Sequence, residues 1–73
     1  ARFSIVVASR VSKTNAEAHV AELTRRGFKD ARVNERGHVK VVMGSFPTHE
    51  EAMNYLRKLR ANQEFSGAWV VEL

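Results

Sequence analysis

The sequence predicts one α+β domain of strand–helix–strand–strand–helix–strand order, with four antiparallel strands in one sheet and both helices on one face. An internal repeat supports this prediction, because Ile5-Val6-Val7-Ala8-Ser9 aligns with Val41-Val42-Met43-Gly44-Ser45 and a helical pattern follows each segment. The two half repeats cover about residues 2–34 and 38–73 of the single domain 1–73. Two interleaved right-handed crossovers place the first and third strands at the centre, which is the ferredoxin-like arrangement.

The first half contains a strand, a capped helix and a second strand. Residues 2–8 are rich in β-branched and aromatic residues with alternating polarity, as is typical of a half-buried strand. Ser12 suits the N-cap of the first helix, and Gly27 suits the position just after its end. The inner stripe of this helix consists of Ala16, Val20 and Leu23. Asn34-Glu35-Arg36-Gly37 predicts the hairpin turn between the second and third strands.

The second half repeats this order. Thr48-His49-Glu50-Glu51 fits the capping-box pattern and predicts the start of the second helix. Its inner stripe consists of Ala52, Leu56 and Leu59. Asn62 and Gly67 bracket the connection to a last strand at residues 68–73. Both halves therefore contribute one helix to a shared core.

Composition limits the class of protein and of partner. The 73 residues include no cysteine, which excludes a disulfide framework and a thiolate metal site. Twelve Lys and Arg against eight Asp and Glu give a net charge of +4, which favours a polyanionic partner. No apolar run approaches the roughly 18 residues of a membrane span. The chain begins Ala1-Arg2-Phe3 without a starting Met, so we expect it to be part of a longer protein.

Strand parity assigns side chains to the two faces of the sheet. The residues expected to face the helices are Phe3, Ile5, Val7, Val33, Val39, Val41, Met43 and Val70. The residues expected on the open face, the side away from the helices, are Arg2, Ser4, Val6, Ala8, Arg32, Asn34, His38, Lys40, Val42, Trp69 and Val71. This set contains no carboxylate. An apolar strip with one aromatic and a basic rim suits a flat ligand, a sugar or a second protein.

Purely structural roles could also account for the residues of the open face. Val6 and Val42 could serve only the strand propensity of the central strands. A neighbouring domain or a second copy of the chain could also cover the face. Trp69 on an edge strand is harder to account for in these ways.

An ordered set of segments resembles the SPOR domain, the sporulation-related repeat of bacterial cell-envelope proteins. The matching segments are Phe3-Ser4-Ile5-Val6-Val7-Ala8-Ser9, Asn15-Ala16-Glu17, Leu23 with Gly27-Phe28, Val39-Lys40-Val41-Val42-Met43-Gly44-Ser45-Phe46 and Glu50-Glu51-Ala52. The resemblance implies a ferredoxin-like fold and peptidoglycan binding, preferentially to glycan strands stripped of stem peptides, as at the division septum. It also implies a periplasmic or cell-envelope location within a membrane-anchored parent protein. Ala8-Ser9 and Ala68-Trp69-Val70 resemble SPOR domains of Bacteroidetes-type envelope proteins.

The resemblance implies that the glycan lies across the open face. Two positions that are often polar in the family are valines in this chain: Val6 stands where the family often has Gln, and Val42 stands where it often has Arg. Stacking on Trp69 and polar contacts from other side chains would then hold the glycan. The residues expected to bind glycan are Ser9, Arg32, His38, Lys40, Trp69, Val6 and Val42. The alternative is a protein-interaction module or homodimer that uses the Val6, Val42 and Trp69 surface.

We expect no catalytic residue, no metal and no cofactor. The histidines His19, His38 and His49 have no nucleophile partner and no metal-ligand spacing. No phosphate-binding or dinucleotide motif is present. RNA-recognition domains share this element order, but they use aromatics on the two central strands, where this chain has Val6 and Val42. RNA binding therefore ranks below glycan binding and protein interaction, and we expect no nucleic-acid partner.

Overall fold

A computed structural model describes residues 2–73 of the protein. The elements are β1 (Phe3–Ser9), α1 (Lys13–Arg25), β2 (Ala31–Asn34), β3 (Lys40–Phe46), α2 (His49–Arg60), a short 3-10 helix (Gln63–Phe65) and β4 (Trp69–Glu72). The four strands form one sheet of order β2-β3-β1-β4, and every neighbouring pair is antiparallel. The predicted ferredoxin-like α+β fold is confirmed, with β1 and β3 at its centre.

One hydrophobic core lies between the sheet and the two helices. Ile5, Val41 and Met43 supply its sheet side and are fully buried. The helices and the connection before β4 supply Ala16, Leu23, Ala52, Leu56, Leu59, Phe65 and Ala68. Phe28 and Phe65, which the internal repeat aligns, meet edge to face with ring centroids 5.5 Å apart. The core side of the sheet is thus packed against the helices, and the open face is the side of the sheet that the helices leave uncovered.

The ends of α1 follow the local signals in the sequence. The Ser12 hydroxyl accepts a hydrogen bond from the Asn15 N–H at 3.1 Å. At the other end, the Gly27 N–H donates to the Thr24 carbonyl and the Phe28 N–H donates to the Leu23 carbonyl. These two bonds form a Schellman motif, which requires the positive φ of +104° that Gly27 adopts.

The second helix and the connection after it are capped in the same way. The Thr48 hydroxyl accepts from the Glu51 N–H at 3.2 Å, as the capping-box pattern predicts. The Asn62 side chain accepts from the Glu64 N–H at 3.0 Å and starts the 3-10 helix. Arg26 then donates to both carboxylate oxygens of Glu64, at 2.9 and 2.8 Å. This pair links the end of α1 to the connection before β4.

A bulge in β1 changes which side chains reach the open face. Val6 lies opposite Val42, but the next pair joins Ala8 to Val41, so that Val7 is an extra residue in β1. Because Val41 faces the helices, Ala8 also packs against the core. The prediction that Ala8 faces the open side is therefore wrong. Ser9 lies opposite Lys40 and takes the open-face position instead.

A second irregularity occurs in β3 at Gly44. Ile5 lies opposite Met43 and Phe3 lies opposite Phe46, so β3 has one more residue than β1 between these pairs. Gly44 has a φ of +74°, where side chains are strained. A Cβ at this position would lie 2.5 Å from Cε2 of the Phe46 ring. Glycine is thus required here by both backbone and packing.

Candidate functional site

Four residues form one continuous row across the open face, one from each strand. Arg32 of β2 lies opposite Val42 of β3, Val42 lies opposite Val6 of β1, and Val6 lies opposite Trp69 of β4. We call these four residues the central row. Parity predicted this face for all four, and the strand order makes them neighbours. The row starts with Arg32 on the edge strand β2 and ends with Trp69 on the edge strand β4.

The two valines of the central row are buried and offer almost no surface to a ligand. Val6 is 1% exposed and Val42 is 0% exposed, although neither belongs to the core cluster on the other side of the sheet. Their strand neighbours Arg32 and Trp69 are both exposed, and Trp69 is the exposed large hydrophobic residue of this face, at 45%. Contact with a ligand would therefore fall on Trp69 and Arg32.

Hydrogen bonds fix the position of the Arg32 side chain. It starts on the edge strand β2 and crosses β3, because its Nη2 donates to the Ser4 hydroxyl of β1 at 3.0 Å. Its Nη1 donates to the Gly44 carbonyl at 3.0 Å and to the Asp30 carbonyl at 3.4 Å. Ser4 is only 1% exposed, so this bond also satisfies a buried hydroxyl. The guanidinium group lies between the β2 and β4 edges rather than at the rim.

A second row lies further along the strands, at the β2–β3 hairpin, two residues from the central row in β2 and β3 and three in β1 because of the bulge. Asn34, Lys40 and Ser9 are neighbours there. The Lys40 ammonium donates to the Arg36 and His38 carbonyls, so it folds back onto the hairpin loop. The Lys40 amine is consequently engaged by the protein and is not directed at the central row.

His38 differs from the other predicted site residues in its location. It lies in the exposed β2–β3 loop, before the start of β3 at Lys40. Strand parity therefore does not determine its direction. The structure brings Arg32, Val42, Val6 and Trp69 together and places Ser9 with Lys40, whereas His38 lies in the loop, where its carbonyl accepts from the Lys40 ammonium.

Three polar groups of this surface were not predicted as site residues from the sequence. Ser4 and the Gly44 carbonyl hold Arg32, and Ser45 holds Arg2 through its hydroxyl and its carbonyl, each at 2.9 Å. An isolated glycine inside a strand pattern is a known sign of a bulge. Gly44 was therefore the sequence signal that could have indicated the irregularity of β3 beside Ser4 and Ser45.

Within residues 2–73, the strand side chains on the open face include basic groups and no carboxylate. Among the strand residues within 2–73, the single carboxylate is Glu72, and it pairs with Phe3 on the core side. Other carboxylates lie on helices or loops, where Glu64 bonds to Arg26 and Glu22 bonds to Arg25. Hydrogen bonding to the neighbouring arginine lowers the pKa of each of these two glutamates. The open face thus combines uncompensated positive charge with one exposed aromatic.

This surface is suited to binding an extended ligand. Residues 2–73 form no enclosed pocket, and they include no cluster of His, Cys, Asp or Glu that could hold a metal ion. No helix within the described chain is both long and apolar enough to cross a bilayer. An exposed indole on a sheet face can stack on a planar or ring-shaped group, and the Arg32 guanidinium can bind an acceptor.

Comparison with known families identifies this chain's family. A family model described as SPOR domain matches residues 1–72, which is essentially the whole chain. Among curated proteins and solved structures, none matches the chain.

Proposed function

The chain belongs to the SPOR domain family, whose members are peptidoglycan-binding modules of cell-envelope proteins, and from this premise we propose how it binds. The proposal is that the chain is a non-catalytic module that binds glycan strands stripped of stem peptides. The strand lies on the open face, and binding in the periplasm localises the parent protein to the septum or cell wall. We propose that Trp69 and Arg32 make the principal contacts, with Ser9 and Lys40 at the hairpin end.

The observation that most supports this proposal is the central row. Sugar rings have apolar C–H faces that stack on aromatic side chains, and Trp69 is exposed at the end of the central row, opposite buried Val6. Sugar hydroxyl and N-acetyl groups need donors and acceptors, and the face offers the Arg32 guanidinium and the Ser9 hydroxyl. Trp69 and Arg32 lie along the central row, and Ser9 lies in the second row at the hairpin end.

The two central-strand valines change the binding mode rather than remove it. In the family pattern, the positions of Val6 and Val42 often have polar side chains that would hydrogen-bond sugars directly. In this chain Arg32 of the edge strand reaches across β3 to Ser4 and supplies a polar group over the centre of the sheet. We therefore propose that Arg32 replaces the polar contacts that the two central-strand positions lack.

A pull-down on purified sacculi tests the proposal. Sacculi are compared before and after amidase treatment, which removes stem peptides and leaves the glycan. We expect enrichment of the wild-type domain on treated sacculi, weaker binding of Trp69→Ala, and unchanged binding of Met53→Ala. Met53 is a half-buried residue of α2, so its variant controls for loss of a large apolar side chain outside the open face. Absence of enrichment on treated sacculi would remove the proposal.

The competing hypothesis is a protein-interaction or dimerisation module. It relied on an apolar platform of Val6, Val42 and Trp69, but the two valines are buried, so Trp69 and half-buried Val71 provide most of the exposed apolar surface on that part of the face. Sedimentation at increasing concentration distinguishes the two hypotheses. A wild-type dimer that Trp69→Ala dissociates, together with no glycan enrichment, would favour the interaction module.

A further inference from the structure

The Arg32 guanidinium has fixed geometry and no acidic partner. Its three acceptors are the Ser4 hydroxyl and the carbonyls of Gly44 and Asp30, all of which are neutral. Within residues 2–73 no carboxylate lies within ion-pair distance of Arg32. By contrast, Arg25, Arg26 and Lys13 each pair with a glutamate. The hydrogen bonds therefore orient the positive charge without neutralising it.

Donors of the guanidinium group remain available on the open face. Arginine has five N–H donors in a planar fork. The observed bonds engage Nη1 twice and Nη2 once, and no acceptor within residues 2–73 engages Nε. The unused donors on Nε and Nη2 suit a carboxylate, which binds arginine through short charge-assisted hydrogen bonds. Because the protein already holds the side chain, little further conformational entropy is lost on binding.

Arg32 and Trp69 are spaced so that one ligand can contact both. Their strands are three positions apart in the sheet, which corresponds to roughly 14 Å between backbones. The Arg32 side chain shortens this separation, because its guanidinium reaches Ser4 on β1, the strand next to β4. A ligand that stacks a ring on Trp69 can therefore place a neighbouring anionic group against Arg32.

We infer that Arg32 is the specificity residue of the open face and that it recognises a carboxylate on the glycan. This inference rests on the proposed function. In a strand stripped of stem peptides, each muramic acid has a free lactyl carboxylate, whereas an attached peptide converts this group to a neutral amide. Recognition by Arg32 would thus account for a preference for stripped strands by direct contact, without requiring that a peptide be sterically excluded.

The test compares two forms of the same stripped glycan fragments. One form keeps the free lactyl carboxylates, and in the other a carbodiimide reaction with methylamine has converted them to methylamides. We expect the wild-type domain to bind the free form about tenfold more tightly, the effect expected of a charge-assisted hydrogen-bond pair on an exposed surface. The difference should shrink as salt is raised, because salt screens exposed charges.

Variants of Arg32 give the direct readout. We expect Arg32→Gln to bind both forms equally, and both more weakly than the wild type binds the free form. Arg32→Met should behave in the same way. It keeps an apolar stem of similar length beside Val42, so it separates the loss of the positive charge from exposure of the buried valines. Arg57→Gln is the matched control, since it removes an arginine from α2, outside the open face, and should keep the full preference.

The outcomes separate the inference from the proposed function. Failure of the wild-type domain to bind either form overturns the proposed function. Tight but equal binding of both forms by the wild type leaves glycan binding intact and overturns the role of Arg32. If Arg57→Gln also loses the preference for the free form, the preference comes from the net charge of the domain. That result would also overturn the role of Arg32. Competition by free stem peptides against the free form would assign the site to peptide carboxylates instead of the lactyl group.

Discussion

Gly44 provides the sharpest test of how the open face is built. Its carbonyl accepts from Arg32, and it has a φ of +74° in the irregular stretch of β3 between the Phe3–Phe46 and Ile5–Met43 pairs. A Cβ at Gly44 would lie 2.5 Å from Cε2 and 2.8 Å from Cζ of Phe46. The Gly44→Ala substitution therefore combines an unfavourable backbone conformation with a steric overlap against a ring.

The size of the effect follows from these two contributions. A left-handed conformation costs an L-residue about 1–2 kcal/mol. The Phe46 ring is half-buried, packs against the core and lies 5.2 Å from the Tyr55 ring, so moving it costs about 1–3 kcal/mol, the usual range for overpacking. The sum for Gly44→Ala is about 2–5 kcal/mol of unfolding free energy. At roughly 4–8 °C for each kcal/mol, Tm should fall by at least about 8 °C.

Urea and thermal unfolding of three glycine variants separate the contributions. Gly37 has a φ of +76° with nothing near its missing Cβ, so Gly37→Ala should lose only the backbone contribution of about 1–2 kcal/mol. Gly67 has open space and no positive φ, so Gly67→Ala should be neutral or stabilise by about 0.4–1 kcal/mol. Equal losses in Gly44→Ala and Gly37→Ala would refute the ring contact. An unchanged Gly44→Ala would refute the described conformation of β3.

Two further predictions concern the helix ends. Ser12→Ala removes the acceptor of the Asn15 N–H and should cost about 0.5–2 kcal/mol in urea unfolding, whereas a loss below this range would mean that the cap is replaced by water. Glu64→Gln should lower Tm at pH 7. Arg26 lowers the pKa of folded Glu64 below its unfolded value, so the stabilisation is present at neutral pH and is lost as pH falls through the folded pKa. Thermal unfolding of Glu64→Gln and wild type should therefore converge in acid, and a constant difference would contradict the pair.

The fold could be predicted because local and repeated signals agree. The repeat predicted two equivalent halves, and the capping residues Ser12 and Thr48 both start helices in the structure. Parity also placed Ile5 and Met43 on the core side and all four residues of the central row on the open face. These features depend on side-chain period and capping chemistry, which are local properties of a sequence.

The remaining features depend on irregular backbone and on side-chain conformation. Parity failed at Ala8 because a bulge adds one residue to β1, and the sequence of β1 contains no glycine to indicate it. The reach of Arg32 to Ser4 is a rotamer choice across three strands. The burial of Val6 and the folding back of Lys40 follow from such choices as well. The alternation of polar and apolar residues along a strand encodes neither bulges nor side-chain conformations.

The central claim is that a glycan ring stacks on Trp69, and the exposure of this residue sets the expected gain. A side chain of about 250 Å² that is 45% exposed offers about 110 Å² to a ligand. Covering half of this area at about 25 cal/mol per Å² contributes about 1.4 kcal/mol, which corresponds to roughly tenfold in affinity. Trp69→Ala should therefore bind stripped glycan about tenfold more weakly while the domain stays folded.

Tryptophan fluorescence measures this contact directly, because Trp69 is the only tryptophan in the chain. Titration with soluble stripped glycan fragments should change the emission of the folded domain in a saturable way. The midpoint should match the affinity measured independently by calorimetry. Binding in calorimetry with no change in emission would show that the glycan lies elsewhere, and it would contradict the placement of the site on the open face.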